Sequence, residues 1–248
     1  MITKPVVVLF SGGVDSLAAL VFARECYGPD NVLAVYCDVG HRYRGKEIKA
    51  VETICKMLKQ DYVIENRLFL GDLELPPEQN ALIPYRNSFF ILLAGLHVSD
   101  KNGLIMLQNI VAGESSTWDR RPEFNNVMSD LLHVADPKQV RLKAPHQGKT
   151  KTEIFEYLKE KVSKGVIFRT VGCYSPEHNH CGQCSSCLRR AVALWNADLK
   201  EGLDEYANDI REWDGIQGYI ERMKQGVYDQ SRVDETFKAF KEWGIRIW

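Results

Sequence analysis

The sequence has almost no net charge and contains no long apolar run. Its 32 Lys and Arg residues against 33 Asp and Glu residues give a formal net charge of −1 at pH 7. A neutral chain has no overall attraction to nucleic acid or to an anionic membrane surface. The sequence also lacks a charged-then-apolar leader and a run of about eighteen apolar residues. We therefore expect a cytoplasmic protein that binds neither nucleic acid nor membrane.

Internal repeats and low-complexity segments are missing as well, and cysteine is not spread along the chain as in disulfide-rich secreted proteins. Of the seven cysteines, Cys26, Cys37 and Cys55 stand in apolar settings and are predicted to be buried thiols. The other four are clustered, and without an export signal a cluster indicates a metal site more readily than disulfides.

The clustered cysteines are Cys173, Cys181, Cys184 and Cys187, which supply four thiolates within fifteen residues. Four sulfur ligands make a closed tetrahedral shell that suits structural zinc, Zn²⁺, and leave no open position for catalysis. Some iron–sulfur proteins have a similar run of ligands, so this alternative stays open beside disulfides and free thiols.

The stretch Ser11-Gly12-Gly13-Val14-Asp15-Ser16 lies between a short apolar run that ends at Phe10 and an apolar helix that continues from Leu17. A buried strand, a Gly-Gly turn and a helix start can hold phosphates, because the first helical N–H groups lack partners within the helix. Asp15 would need a Mg²⁺ ion between its carboxylate and the phosphates. The residues assigned to ATP here are Phe10, Ser11, Gly12, Gly13, Val14, Asp15, Ser16 and Leu17.

This stretch is neither a Walker P-loop nor a dinucleotide fingerprint. A Walker P-loop has Lys before the final Ser or Thr, where this chain has Asp15. The hexapeptide instead resembles the SGGxDS motif of the PP-loop ATP pyrophosphatases, which grip the β,γ-pyrophosphate and adenylate a substrate oxygen.

Apolar runs alternate with helical patterns along the first two thirds of the chain and predict an α/β fold with a doubly wound, parallel, five-stranded sheet. We expect a PP-loop ATP-binding domain over residues 1–170 and a zinc-binding, helical region over residues 171–248. The predicted strands are 6–10, 31–37, 62–64, 104–111 and 140–144. The predicted helices are 17–23, 45–59, 88–98, 123–134, 150–164, 185–199, 204–225 and 233–243.

With both signals placed, the chain resembles the 7-cyano-7-deazaguanine synthase (QueC) family, a PP-loop branch, over residues 5 to about 195. Either signal alone is only suggestive of this family, whereas the combination of SGGxDS near the start and four cysteines near the end is specific for it. Further motifs of the family resemble Asp38-Val39-Gly40-His41-Arg42-Tyr43, Tyr85-Arg86-Asn87, Asp119-Arg120-Arg121-Pro122-Glu123-Phe124, Lys151-Thr152-Glu153-Ile154 and Gly172-Cys173-Tyr174.

The resemblance implies adenylation of 7-carboxy-7-deazaguanine on its carboxylate, attack by ammonia to give an amide, and a second adenylation that drives dehydration to the nitrile. It makes Arg86, Arg121 and Lys151 candidates for gripping the substrate carboxylate or the α-phosphate. Asp119 or Glu123 would pair with the deazapurine or orient the nucleophile. Gly113 joins the ATP site, and Arg120 is expected to be solvated.

The chain departs from the family at His41 and Tyr43, where the family has Gln and His, and its loop between Gly113 and Asp119 is about five residues shorter. The tail beyond Leu194 is longer than the family needs. A relative with these changes would stop at the amide or attach the activated carboxylate to another amine, such as a protein N-terminus. We expect a homodimer, with the C-terminal helices as a dimerisation element or a docking surface for a protein partner.

Two other classes share the first motif. The tRNA-modifying PP-loop enzymes usually carry a basic face, and the pairs Arg120-Arg121 and Arg189-Arg190 are too short to indicate one. A non-catalytic nucleotide-binding module is the remaining alternative.

Overall fold

Strands and helices alternate along most of the chain. A computed structural model describes residues 1–76, 82–112, 118–136 and 138–247. None of the helices in these ranges is both long and apolar enough to cross a membrane. The strands are β1 (Val6–Leu9), β2 (Val32–Cys37), β3 (Tyr62–Glu65), β4 (Leu104–Met106) and β5 (Arg141–Lys143). The helices are α1 (Val14–Tyr27), α2 (Arg44–Leu58), α3 (Arg86–Gly95), α4 (Pro122–Ala135), α5 (Lys151–Lys161), α6 (Lys164–Phe168), α7 (Ser185–Asn196), α8 (Ile216–Lys224) and α9 (Gln230–Glu242).

The five strands form one parallel sheet in the order β3-β2-β1-β4-β5. The register places Val6 of β1 opposite Val32 of β2 and Leu104 of β4. The predicted α/β fold with a parallel, five-stranded sheet is confirmed. The chain moves outward from β1 to β3 and then crosses back to β4 on the other side of β1, so the strand order reverses between β1 and β4.

Both faces of the sheet are buried, which explains why β1 is apolar at every position. Val6 and Val8 face a core formed with α1, α2 and α5. Val7 and Leu9 face a second core formed with α3 and α4. Because successive side chains of a strand point to opposite faces, a strand covered on both sides needs an unbroken apolar run.

A third apolar cluster joins α7 to α8 and α9. Tyr219 of α8 and Phe240 of α9 are fully buried there. Ala193 and Leu194 of α7 belong instead to the core on the α1 side of the sheet. The helix α7 therefore connects the C-terminal helices to the rest of the fold.

Several elements are shorter in the structure than the sequence pattern predicts, among them the predicted helix 204–225, strand 104–111 and helix 150–164. The predicted helix 204–225 is wrong, because only α8 and one short 3₁₀ turn, Ile210–Glu212, form there. Residues 207 and 208 bond instead to the cysteine-rich loop, through Ala207 N–H to the His180 carbonyl at 2.9 Å and Asn208 Nδ2 to the Cys181 carbonyl at 2.9 Å. The predicted strand 104–111 pairs as a strand only over β4.

The third shortened element is the predicted helix 150–164. It ends at Lys161, because Val162 adopts an extended conformation (φ −136°, ψ 162°). A separate helix, α6, follows and was not predicted.

Gly182 is a point where the cysteine-rich loop meets the C-terminal segment. Its φ is +70°, and a Cβ atom there would lie 2.0 Å from the Asn208 carbonyl oxygen. Gly226 has a similar φ of +69°, but a Cβ atom there would have no heavy atom within 4 Å. Replacing Gly182 and Gly226 in turn by alanine therefore separates the energetic cost of a left-handed backbone from that of a steric clash.

We predict that Gly226→Ala lowers the free energy of unfolding by about 1 kcal/mol, the cost of a left-handed backbone. Gly182→Ala should lower it by about 3 kcal/mol or more, because the clash with backbone adds to the same strain. Urea unfolding of both variants measures the difference. Equal losses would contradict the close packing of the cysteine-rich loop on residue 208.

Candidate active site

A cleft of about 240 Å³ opens at the carboxyl ends of β1, β2 and β4. This is the edge where ligands bind in doubly wound sheets, beside the reversal of strand order. The loop after β1 forms its floor with residues 10–16, and the segment 171–174 and helix α7 form one wall. Residues from α2, α3 and the segment after β4 complete the lining.

The Gly-Gly turn leaves the N-terminus of α1 open toward the cleft. Gly12 has a φ of +74°, and a Cβ atom there would lie 3.0 Å from Ala50 Cβ and 3.2 Å from the Glu47 carbonyl. Glycine is therefore required by both conformation and space. No side chain caps α1, whose first intrahelical bond is from Leu17 N–H to the Gly13 carbonyl at 2.9 Å. The earlier N–H groups lack intrahelical acceptors, which makes this turn suited to an anion.

The two serines of the turn stabilise its shape. Ser16 Oγ donates to the Gly13 carbonyl at 3.0 Å and accepts from Ser11 N–H at 3.2 Å. The hydroxyls of Ser11 and Ser16 also lie 3.2 Å apart. These bonds hold the turn in the open shape before any ligand arrives.

Asp15 faces the cleft from the first turn of α1. Its Oδ2 accepts a hydrogen bond from Lys151 Nζ at 3.0 Å, and Lys151 is the first residue of α5. Thr150 and Glu153 form a capping box that fixes this helix start. The other carboxylate oxygen of Asp15, Oδ1, is buried and has no hydrogen-bond partner within the described residues. An unpaired carboxylate oxygen is a ligand that suits Mg²⁺.

Basic side chains outnumber acidic ones in the described lining of the cleft. Asp15 and Glu47 are its acidic members. The basic members are Arg86, Arg120, Lys151, Arg189 and Arg190. In a cleft with low-dielectric walls, this excess attracts an anion more strongly than the neutral chain as a whole.

Arg86 begins α3 on the side of the cleft opposite α5. Its Nη1 donates to the Tyr43 hydroxyl at 3.2 Å. Burial opposes the charge of Arg86, but the neighbouring Tyr43, Glu47 and Asp119 outweigh it and raise the pKa of the guanidinium. Arg86 therefore stays cationic and is held at a fixed position in the cleft wall.

His41, Glu47 and Tyr36 form a hydrogen-bonded group in the same wall. Glu47 Oε2 lies 2.9 Å from His41 Nε2 and 3.0 Å from the Tyr36 hydroxyl, which donates to it. Burial is the main cause of a raised pKa at Tyr36, which keeps the phenol protonated. His41 also packs edge-on against Tyr43, with ring centroids 4.5 Å apart. The two departures from the QueC pattern are thus adjacent in space.

Most of the predicted site residues come together in this cleft. Those that line it are Phe10, Ser11, Gly13, Val14, Asp15, Ser16, Arg86 and Lys151. Gly12 shapes the turn from behind, and Leu17 is fully buried in the core. Gly113 and the shortened loop that follows it lie outside the described residues, apart from residues 118 and 119 at the end of that loop.

Two neighbouring arginines, Arg120 and Arg121, each lie where the sequence predicts the other. Arg120, expected to be solvated, is partly buried and lines the cleft. Arg121 is exposed outside the lining, where its guanidinium lies 3.8 Å from the ring centroid of Trp118. The physical reason is local: Arg121 is the N-cap of α4, while Arg120 ends the 3₁₀ turn before it.

Asp119 reaches the cleft only indirectly. Its carbonyl accepts hydrogen bonds from Asn109 Nδ2 at 2.9 Å and Asn87 Nδ2 at 3.3 Å. Both asparagines line the cleft, whereas Asp119 does not. The backbone of Asp119 therefore positions two amides, a role that the residue type did not indicate.

The family model described as "Queuosine biosynthesis protein QueC" matches residues 5–198, which carry the cleft and all four clustered cysteines. The chain belongs to the QueC family. It is similar to proteins named 7-cyano-7-deazaguanine synthase from several organisms. Pseudoalteromonas translucida has one that is 29% identical over 221 residues, covering 82% of this chain and 99% of the relative. One from Methanobrevibacter smithii is 26% identical over 226 residues, covering 81% and 97%.

The four-cysteine cluster of this QueC-family chain lies beside the cleft. The sulfur atoms of Cys173, Cys181, Cys184 and Cys187 all lie within 4.8 Å of one another. Cys173 and Cys184 are 4.0 Å apart at sulfur, and Cys181 and Cys187 are 3.8 Å apart. A tetrahedron with zinc–sulfur bonds of about 2.3 Å has edges of about 3.8 Å. The donor set fits a zinc ion, and the four cysteines are free rather than disulfide-bonded.

Backbone N–H groups point at these sulfurs. Cys173 Sγ accepts from Ser175 N–H at 3.3 Å and from Cys181 N–H at 3.4 Å. Cys184 Sγ caps α7 by accepting from Cys187 N–H at 3.4 Å. Such bonds favour the thiolate form, which is the form that binds a metal.

Several residues of the cleft are not among the site residues predicted from the sequence. They are Tyr36, Glu47, Asn87, Gln108, Asn109, Tyr174, Arg189 and Arg190. Asn87 stands inside a motif shared with the family, and Arg189-Arg190 is visible in the sequence only as a short basic pair. Tyr174 also stands inside a motif shared with the family. Gln108 and Asn109 follow β4, Tyr36 lies on β2 and Glu47 on α2, and only the assembled fold brings them together.

We predict about one zinc ion per chain by elemental analysis. Cys184→Ser should reduce it to less than about a tenth and lower the thermal midpoint strongly, because the cluster also caps α7. Cys26→Ser is the matched control, since Cys26 lies outside the cluster and is exposed, contrary to the prediction of a buried thiol. A folded wild-type protein without metal would contradict the zinc assignment.

Proposed function

We propose that this chain is an ATP-dependent ligase of the 7-cyano-7-deazaguanine synthase type, acting on 7-carboxy-7-deazaguanine with ammonia. The observation that carries the proposal is the uncapped Gly-Gly turn at the N-terminus of α1, which opens into a basic cleft in a chain of the QueC family. The names of its relatives supply the class of product, a 7-cyano-7-deazaguanine.

In the proposed complex, the pyrophosphate end of ATP binds at residues 11–16. The free N–H groups at the start of α1 donate to phosphate oxygens there. Lys151 lies close enough to Asp15 to reach the same anion from α5. Mg²⁺ would be held by Asp15, whose Oδ1 is unpaired within the described residues, and would neutralise phosphate charge.

The substrate carboxylate binds on the opposite side, between Arg86 and Arg120. Both arginines line the cleft, and the hydrogen bond to Tyr43 orients Arg86. We therefore replace Arg121 by Arg120 among the proposed substrate contacts. The carboxamide of Asn87 is suited to the edge of the deazapurine, in place of Asp119 and Glu123. Asn109 supports the wall instead, because its Nδ2 donates to both the Asp119 carbonyl and Asn125 Oδ1.

The chemistry needs positioned cations more than a reactive side chain. A carboxylate oxygen attacks the α-phosphorus and pyrophosphate leaves, which creates an acyl adenylate. Ammonia then attacks the acyl carbon, a proton is lost and AMP leaves, giving the amide. The amide oxygen then attacks the α-phosphorus of a second ATP and pyrophosphate leaves. Loss of AMP together with the two N–H protons gives the nitrile. Placing two anions beside each other against their repulsion is the main contribution of the cleft.

A second candidate function is transfer of the activated carboxylate to another amine, such as a protein N-terminus. The supporting observation is that the family match ends at residue 198, while α8 and α9 add a further surface. This candidate uses the same first step and differs only in the nucleophile.

The test is incubation with ATP, Mg²⁺, 7-carboxy-7-deazaguanine and ammonium, followed by measurement of AMP and product mass. Substrate-dependent AMP supports the ligase, and the product mass separates nitrile, amide and conjugate. Absence of AMP with every amine offered would contradict the ligase and favour a nucleotide-binding module.

We predict that Asp15→Asn lowers kcat/KM for AMP formation by about 100-fold, because it removes the carboxylate beside the phosphates. The thermal midpoint should change by only a few degrees, since Asp15 is partly exposed. Asp214→Asn is the control, an exposed aspartate in the C-terminal segment. Unchanged turnover in Asp15→Asn would contradict its role.

The proposed homodimer uses α3 and α4 rather than the C-terminal helices. Phe89, Leu92 and Leu96 are at least 36% exposed on and just after α3, and Val127, Leu131 and Val134 at least 42% on α4. These two helices pack against each other on the same face of the sheet. Beyond α7, Val227 is the exposed large apolar residue that the structure describes.

The chemistry of this surface favours a second copy as its occupant. Residues 87–96 carry no charged side chain, so this part of α3 offers nothing for a charge-complementary partner. In a dimer with a twofold axis, the apolar surfaces of the two copies would cover each other, and no complementary charges would be needed.

We predict that the wild-type chain sediments as a dimer and that Val127→Glu with Leu131→Glu converts it to a monomer. A charge in an apolar interface remains unpaired and opposes association. Val227→Glu should leave the dimer intact. If Val227→Glu dissociates the dimer and the double variant does not, the interface lies in the C-terminal tail.

A further inference from the structure

Arg190 is a buried cation without an ion-pair partner in the described part of the chain. It is 5% exposed in the middle of α7. Its Nη1 donates to Thr170 Oγ1 at 2.8 Å, and its guanidinium carbon lies 5.3 Å from the centroid of the Phe155 ring. Nε and Nη2 are buried and find no hydrogen-bond acceptor among the described residues.

Such an arrangement is costly unless an anion completes it. A buried guanidinium loses its hydration, and unsatisfied donors add to that cost. Burial lowers the pKa of Arg190. Tyr206, Glu205, Cys187 and Asp15 oppose this only through the field of their charges. The protein retains a cation here that its own described side chains do not neutralise.

The position of Arg190 indicates which anion completes it. Arg190 lines the cleft together with Gly13, Asp15 and Lys151. Its partner Thr170 precedes Val171, whose N–H donates to the Gly12 carbonyl at 2.9 Å. These two hydrogen bonds connect the Arg190 guanidinium to the Gly-Gly turn, on the side of the cleft opposite Arg86. Arg190 is therefore better placed for a phosphate group at the turn than for a carboxylate held by α3.

We propose that Arg190 binds the pyrophosphate portion of ATP, opposite the open N-terminus of α1. The proposal rests on the function proposed above, because ATP is the source of that anion. It also gives the cysteine cluster a purpose in the reaction. Cys187 lies one helical turn before Arg190, and Cys184 caps the same helix. The cluster thereby positions a phosphate contact without touching the substrate.

The test compares Arg190→Met with Arg169→Met, using inorganic pyrophosphate with Mg²⁺ as the probe. Arg169 is an exposed arginine just before Thr170 and outside the cleft lining. We expect Arg190→Met to weaken pyrophosphate binding at least tenfold in titration calorimetry, with AMP binding changed less than about twofold. Arg169→Met should bind both like the wild type.

Stability distinguishes a ligand contact from a structural residue. Met fills the same space without unsatisfied donors, so ligand-free Arg190→Met should melt at the same temperature as the wild type or higher. A merely structural Arg190 predicts a lower melting temperature and unchanged pyrophosphate affinity, and that result would overturn the proposal. If Arg190→Met fails to fold, Arg190→Gln takes its place, and wild-type pyrophosphate affinity in it would overturn the proposal equally.

The readout also separates this proposal from the proposed function. Pyrophosphate binding that depends on Arg190, together with no AMP formation from 7-carboxy-7-deazaguanine, supports the phosphate contact and contradicts the ligase. Substrate-dependent AMP formation with unchanged pyrophosphate affinity in Arg190→Met supports the ligase and contradicts the phosphate contact.

Discussion

One hydrogen bond holds together the two halves of the cleft. Val171 N–H donates to the carbonyl of Gly12, which joins the loop after β1 to the segment that leads into the cysteine cluster. The left-handed conformation of Gly12 lets the turn pack against Ala50 and Glu47 of α2. On the other side, Ser186 Oγ donates to the Gly172 carbonyl, so α7 follows the same segment. The phosphate turn, the cluster and α7 are thus a connected unit, although they are far apart in the sequence.

The charges of the cleft explain why such a connection matters. A reaction between ATP and a carboxylate brings two anions together, and their repulsion in a low-dielectric site is larger than in water. In the described lining, cations stand on α3, α5, α7 and the 3₁₀ turn before α4, so they approach from different directions. No single element could supply that arrangement. The fold therefore contributes by fixing the relative positions of elements that each carry one or two charges.

The sequence predicted features that depend on local pattern. Apolar runs marked the strands, because a sheet covered on both faces needs them, and the Gly-Gly turn marked the start of α1. The predicted helix 204–225 failed for a non-local reason: residues 207 and 208 bond to the loop around Cys181. The predicted placement of Arg120 and Arg121 differs from the structure at a finer scale, because a shift of one residue at the start of α4 decides which arginine faces the cleft. The structure placed Arg190 there through contacts with Thr170 and Phe155, which no spacing rule connects.

Two basic pairs, Arg120-Arg121 and Arg189-Arg190, show how the meaning of a charge depends on its surroundings. As runs, both are too short to indicate an RNA-binding face, and the net charge of the chain argues against one. In the fold, three of these four side chains line a concave site, and the fourth stacks on Trp118. A small anion can be surrounded by cations in a cleft, whereas a polyanion on an open surface needs them spread along a face. A neutral chain with basic residues gathered in one cleft is therefore better suited to nucleotide phosphates than to nucleic acid.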